Sequence, residues 1–324
     1  MFEKFFEICD TTAEPDPGDF DENREKTILE IVKTNVWNST NVAWLNNKAE
    51  WNSRIEAAGK KYGVENPRFA TREGCWQGEK NISTYITGKT HNDGASVLDP
   101  FACEILLRVF MPMSGKKVYN PFGGGVQFGF VAGSLGYEYL SCEIRQNQCD
   151  ANNRICADFN NVKWNCADCA EYEPEGMFDM VFTCPPYYKV EKYVDYDGAP
   201  PKGEINAMNT YSEFLNALFR GYTNAINHLN DGCFFVAMVG DSRDKRGAYY
   251  GMEADTEIFL RNSGLKLYNK IVFNEAAFTR VVQAKNAIDS RKFLKQEQKI
   301  IIAYKGDLKR IKNLYPPLKS LLQG

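Results

Sequence analysis

The chain has no apolar run approaching the length of a membrane span, so a transmembrane helix is not expected. It has no internal repeat, which leaves a folded unit rather than a repeat array. Its first residues, Met1-Phe2-Glu3-Lys4, lack the basic and apolar character of a secretory leader. Its ten cysteines follow no regular spacing. Without a leader, they are expected to be reduced thiols in a cytoplasmic compartment rather than a disulfide framework. Cys166-Ala167-Asp168-Cys169 is a C-x-x-C with no second pair, and no metal site is expected. What is present is enough apolar material, 44% of 324 residues, for a sizeable core. That excludes global disorder and suits one large domain, or one domain with an appendage.

The net charge of −3 conceals a polarity. Residues 270–324 carry twelve Lys/Arg against four Asp/Glu, a balance of +8, which leaves −11 on residues 1–269. An acidic protein can still bind a polyanion when its cations gather on one surface. A basic tail accounts for the last dozen residues better than it accounts for Arg280, Lys285, Arg291, Lys292 and Lys295.

Residues 1–25, with nine acids, two bases, Pro15 and Pro17, are expected to be a mobile N-terminus. Residues 26–95 are expected as a helical and loop-rich extension, with one helical pattern over 26–61 and a polar, Gly/Asn-rich connection over 62–95. Trp37, Trp44 and Trp51 recur every seven residues. On a helix that places them near one face, either packed inward or offered as a stacking surface for bases. Residues 96–312 form the main domain and 313–324 a tail.

Within the main domain the patterns alternate. Helices are expected over 102–110, 128–135, 146–159, 211–229 and 254–263. Strands are expected over 117–119, 139–143, 163–165, 178–183, 233–239, 267–273 and 300–304. This alternation predicts an α/β fold with a doubly wound, mostly parallel sheet and ligands at the carboxyl ends of the strands.

Two motifs fall at such ends. Lys117-Val118-Tyr119 leads into Asn120-Pro121-Phe122-Gly123-Gly124-Gly125 and then a helical stretch. Glycines there let a ligand approach the backbone, and Glu143, closing the next strand, can accept from both hydroxyls of a ribose. About sixty residues on, the apolar Met180-Val181-Phe182 opens into Thr183-Cys184-Pro185-Pro186-Tyr187-Tyr188. Two prolines fix φ and remove N–H donors, giving a rigid extended segment with accepting carbonyls and aromatic faces.

Over residues 95–312 the chain resembles the AdoMet-dependent DNA amino-methyltransferases. Their first motif, Asp-Pro-Phe-x-Gly-x-Gly, is matched by Asn120 to Gly125. Their catalytic Asp/Asn/Ser-Pro-Pro-Tyr/Phe is matched by Cys184-Pro185-Pro186-Tyr187. The resemblance is strongest to phage and prophage DNA methylases. Val239-Gly240-Asp241-Ser242-Arg243-Asp244, Asp289-Ser290-Arg291-Lys292 and Tyr304-Lys305-Gly306-Asp307 match further motifs in order.

The resemblance implies a class I AdoMet-dependent methyltransferase fold, with the last two strands as an antiparallel hairpin. It implies S-adenosyl-L-methionine as cofactor, DNA as partner and methylation of the exocyclic amine of adenine or cytosine. The site would serve phage or prophage DNA modification. Asn120, Pro121, Phe122, Gly123 and Gly124 would cradle the methionine part and Glu143 the ribose. Asp168 would meet the adenine, unless it is an ordinary turn acid. Asp99, in Ser96-Val97-Leu98-Asp99-Pro100, would contact the amino-acid end, unless it caps the helix that follows. Cys184, Pro185, Pro186 and Tyr187 would hold a base flipped from its stack or already unpaired. Tyr188, Arg280, Lys285, Arg291 and Lys292 would meet nucleic acid. Target recognition would fall to the N-terminal region and to loops 188–210 and 274–298.

Two departures from the family pattern matter. Asn120 replaces the usual Asp and brings no charge. Cys184 stands where Asp, Asn or Ser accepts an amine hydrogen, which sulfur does poorly. Either the Pro185 carbonyl or Thr183 suffices, or Cys184 is a nucleophile for methylation at pyrimidine carbon five. An RNA methyltransferase and a non-catalytic AdoMet- or DNA-binding protein are the other readings.

Overall fold

The computed structural model describes residues 22–65, 67, 97–190, 193, 195, 199–274, 291, 293, 295 and 297–318. The described elements, in chain order, are α1 (Glu22–Ile31), β1 (Val36–Asn38), α2 (Val42–Lys61), α3 (Pro100–Phe110), β2 (Lys117–Asn120), α4 (Gln127–Ser134), β3 (Glu138–Glu143) and α5 (Gln146–Ile155). They continue with β4 (Val162–Cys166), β5 (Phe178–Thr183), α6 (Tyr211–Asn227), β6 (Leu229–Val239), α7 (Met252–Asn262), β7 (Lys266–Asn274), β8 (Glu297–Tyr304) and a last turn α8 (Ile311–Leu314).

The strands form one eight-stranded sheet in the order β1-β7-β8-β6-β5-β2-β3-β4. β8 runs antiparallel to both β6 and β7, and every other pairing is parallel. From β4 through β7 this is the expected doubly wound, mostly parallel sheet, with the late antiparallel hairpin between β7 and β8. The central strands are apolar on both faces because helices cover both. In β5, Met180 and Phe182 pack with Phe128, Phe234 and Ile300 on one side. Val181 packs with Phe214, Leu218 and Tyr222 of α6 on the other.

The 26–61 region differs from its helical expectation. The chain leaves α1, makes the short strand β1 and re-enters a helix at α2. Val36 and Trp37 pair in register with Val272 and Phe273 of β7. Thr34, Asn35, Asn38, Ser39 and Thr40 favour turns over helix interiors, and Asn41 then caps α2 through a bond from the Ala43 N–H. The segment is therefore part of the main sheet. Trp37 sits on a strand, Trp44 and Trp51 on α2, and all three are buried, so none offers a face to a base. Two helices end earlier than their patterns suggest, at Ile155 and Asn227, and β6 begins correspondingly early, at Leu229.

Candidate active site

The sheet reverses its winding between β2 and β5, and the loops leaving β2, β3, β4 and β5 meet there. They line one cavity of about 810 Å³, its open mouth included. Such a crevice at a switch point is where open α/β sheets bind ligands.

The β2 loop is built from inside. The Asn120 side chain is buried; its Oδ1 accepts from the Phe122 N–H at 3.1 Å and its Nδ2 donates to the Tyr139 hydroxyl at 3.1 Å. A neutral amide does both jobs, which a carboxylate cannot, so Asn120 shapes the turn. The Gly123 N–H donates to the Cys142 carbonyl at 2.7 Å. A Cβ at Gly123 would lie 2.1 Å from Ser141 Oγ and 2.9 Å from the Cys142 carbonyl oxygen. Gly124 has φ +53°, and Asn152 Nδ2 ties its carbonyl at 2.8 Å. Pro121, Phe122 and Gly124 face the cavity, while Asn120 and Gly123 lie behind them.

At the end of β3, Glu143 Oε1 accepts from the Arg145 N–H and from Arg145 Nε, both at 3.0 Å. The carboxylate is thus held by a cation while it borders the cavity. The Arg145 guanidinium carbon lies 5.0 Å from the ring centre of Tyr193, which also lines the cavity. After β4, Asp168 Oδ1 accepts from the Ala170 N–H at 2.9 Å, and Asp168 also lines the wall. It is a turn acid and a wall residue at once. Burial pushes the lining thiol of Cys142 up to about 12 and that of Cys169 well above the usual thiol range, so both stay protonated.

After β5, Cys184 and Pro186 join the same wall, whereas Pro185 and Tyr187 are not part of its lining. Cys184 Sγ lies 3.7 Å from the Tyr187 hydroxyl, which donates to Gln298 Oε1 of β8 at 2.6 Å. The Tyr187 ring rests on Gly240 at the end of β6, where a Cβ would stand 2.7 Å from Tyr187 Cε2.

Two expected contacts are placed elsewhere. Asp99 Oδ1 accepts from the Phe101 and Ala102 N–H groups at 3.0 and 3.2 Å, and its Oδ2 from Trp44 Nε1 at 3.1 Å and Lys48 Nζ at 2.8 Å. Capping and ion pairing use the whole carboxylate, and Asp99 is not in the cavity lining. Tyr188, expected to meet nucleic acid, is turned inward instead. It is buried among Tyr211, Phe214 and Tyr250, and its hydroxyl donates to the Asn209 carbonyl at 3.0 Å. Apolar ring area outweighs solvation there. Arg291 is exposed, with φ +54°. Arg280, Lys285 and Lys292 lie outside the described residues.

The cavity also has lining that the motifs do not announce. Tyr193, Gly203, Ile205 and Met208 come from the loop between β5 and α6, and Ala217 and Arg220 from α6 itself. Asp195 pins that loop by accepting from the Gln146 and Asn147 N–H groups at 2.8 and 3.0 Å, at the start of α5. No periodicity marks these residues. Among the described residues no group of three or more His, Cys, Asp or Glu could hold a metal, and no helix is long and apolar enough to cross a membrane.

No protein-family model matches the chain, and no curated protein matches it. Solved structures match it at low similarity. A methyltransferase from Pyrococcus furiosus is 16% identical over 70% of this chain and 93% of its own, with a TM-score of 0.42. TrmN from Thermus thermophilus is 13% identical over 64% of this chain, with a TM-score of 0.37, and this chain spans 49% of its length. A protein assigned as a DNA modification methylase, also from Thermus thermophilus, is 19% identical over 43% of this chain and 49% of its own, with a TM-score of 0.31. Likeness of this degree transfers neither a substrate nor a residue role.

Proposed function

We propose that this chain is an AdoMet-dependent methyltransferase acting on the exocyclic amine of adenine or cytosine in DNA. The observation that carries the reading is the convergence of four strand-end loops on one cavity. Pro121, Phe122 and Gly124, Glu143, Asp168, and Cys184 with Pro186 all border it.

The lining fits the cofactor. Gly124, at φ +53°, brings bare backbone to the wall beside Phe122. Glu143, with Oε1 already held by Arg145, brings a carboxylate that suits ribose hydroxyls. Phe122, Ile144, Ile205 and Met208 supply apolar surface for an adenine. When bound, AdoMet supplies a methyl group activated on a sulfonium.

The chain's own residues would then present the acceptor. Proline at 185 and 186 stiffens the segment, so the carbonyls beside Cys184 can accept amine hydrogens without reorganising. Cys184 and Pro186 belong to the cavity wall itself, so an amine held there would lie beside the donor. Cys184 Sγ lies 3.7 Å from the Tyr187 hydroxyl, which is bonded in turn to Gln298. Amino-methylation needs no thiolate at Cys184, whereas covalent attack on a pyrimidine does.

Purified protein, methyl-labelled AdoMet and unmodified DNA and RNA test the proposal, with nucleosides identified by mass spectrometry. Methylation of an adenine or cytosine amine in DNA is expected. Label in RNA alone, or on pyrimidine carbon five, would move the reading to another substrate. AdoMet binding without transfer would leave a binding protein, and no AdoMet binding would end the proposal.

A further inference from the structure

We propose that the hairpin following β6, residues 242–250, grips phosphates of the strand that carries the target base, an inference that rests on DNA being the acceptor. Arg243, Lys245 and Arg246 are all exposed on it, within four consecutive residues. The one acid among them, Asp244, is used inside the turn. Its Oδ1 accepts from the Arg246 and Ala248 N–H groups at 2.9 and 2.8 Å. With Asp244 counted against the three cations, the tip carries a net charge of +2.

A bland solvated turn would leave those cations loose, but Arg243 is held. Its guanidinium carbon lies 3.6 Å from the centre of the Tyr249 ring, and its Nη1 donates to the Gly247 carbonyl at 2.7 Å. Arg243 and Tyr249 are also paired through the backbone as an antiparallel bridge. Tyr249 is itself 46% exposed, so this stacking buries little and contributes little to the core. What it does is fix a guanidinium at the surface, which lowers the ordering cost of a later contact. A planar, permanently charged fork suits phosphate oxygens.

Position selects the partner. Asp241 accepts from the Ser242 and Gly251 N–H groups at 2.9 and 3.0 Å, closing the base of the hairpin. Ser242 Oγ donates to the Tyr188 carbonyl at 3.0 Å, the last residue of the Pro-Pro segment. Gly240, immediately before, carries the Tyr187 ring. The hairpin and the segment proposed to hold the base are thus one hydrogen-bonded piece. Three residues from Gly240 to Arg243 reach at most about 11 Å. That is about three base-pair rises along a duplex axis, at about 3.4 Å each. A strand whose base sits at Cys184 runs its flanking phosphates past this tip.

The test uses the full chain and a labelled duplex of about 30 base pairs, with binding followed against salt. Each phosphate contact contributes about 0.9 to the slope of log affinity on log salt. Lys245→Gln/Arg246→Gln should lower the slope by about 1.8, weaken binding equally on two duplexes of unrelated sequence, and leave AdoMet affinity unchanged. A wild-type salt slope that the double variant keeps would overturn the hairpin and leave DNA methylation standing. Weakening confined to one sequence would mean base reading, and would overturn the phosphate role. Wild-type protein that neither binds nor methylates DNA would sink this inference together with the reading beneath it.

Discussion

The indole Nε1 of Trp44 donates to Asp99 Oδ2 at 3.1 Å, and one heptad later Trp51 Nε1 donates to Glu104 Oε2 at 2.7 Å. Two buried acids, the cap of α3 and a residue within it, are thereby satisfied from one face of α2. Glu104 also pairs with Arg108 at 2.9 Å. The seven-residue tryptophan spacing matches this pair of bonds. Each indole buries its ring and adds its one donor to a buried carboxylate that Lys48, or Arg24 and Arg108, also meets.

Trp51→Phe keeps most of the apolar volume and removes that donor. It should cost about 1–3 kcal/mol of stability, the penalty of under-satisfying a buried group. Urea unfolding measures it. Asp99→Asn, which can still cap α3, should leave AdoMet affinity unchanged by calorimetry. A tenfold loss of affinity in that folded variant would return Asp99 to the site.

Glu143→Ala removes the carboxylate proposed for the ribose. Each charge-assisted bond lost is worth about 1.5–3 kcal/mol, so AdoMet affinity should fall roughly 10- to 150-fold per bond. Unchanged affinity by calorimetry, with an unchanged circular dichroism spectrum, would take Glu143 out of the site.

Cys184→Ser separates the two chemistries. A hydroxyl accepts an amine hydrogen better than a thiol does, so turnover should be kept or raised. A dead variant with intact AdoMet binding, together with a wild-type cysteine adduct trapped by a fluorinated pyrimidine, would instead establish a covalent route.

Alkaline pH should weaken the fold through its buried thiols. Burial pushes Cys142 and Cys233 up to about 12, against an ordinary thiol near 8.5. Above that ordinary value the unfolded chain releases protons that the folded chain keeps, so stability falls as pH rises. The contribution is complete below about pH 8.5 and is lost toward 12, at about 1.4 kcal/mol per pH unit for each such thiol. Reduced protein unfolded in urea at pH 8 and pH 9.5 should show the decline. Equal midpoints would contradict it.

Local chemistry alone determined the strand–turn–helix from Lys117 to Ser134 and the stiff segment after β5, and it offered the cap at Asp99 as the alternative to a cofactor contact. Glycine, proline and a capping acid act within a few residues of themselves, so their effects are readable along the chain. The alternation of patterns determined the doubly wound sheet in the same way. Tertiary structure decided the rest. Trp37 lies in β1 because β7, more than two hundred residues away, offers an edge to pair with. Tyr188 is buried while Cys184 and Pro186 face the cavity, because α6 and the 242–250 hairpin give the Tyr188 ring aromatic neighbours. Tyr193, Met208 and Arg220 reach the site only because Asp195 anchors their loop to α5 and α6 packs over the sheet. Such placements depend on long-range burial and on which hydrogen-bond partners the completed fold leaves within reach, and no short window of sequence contains them.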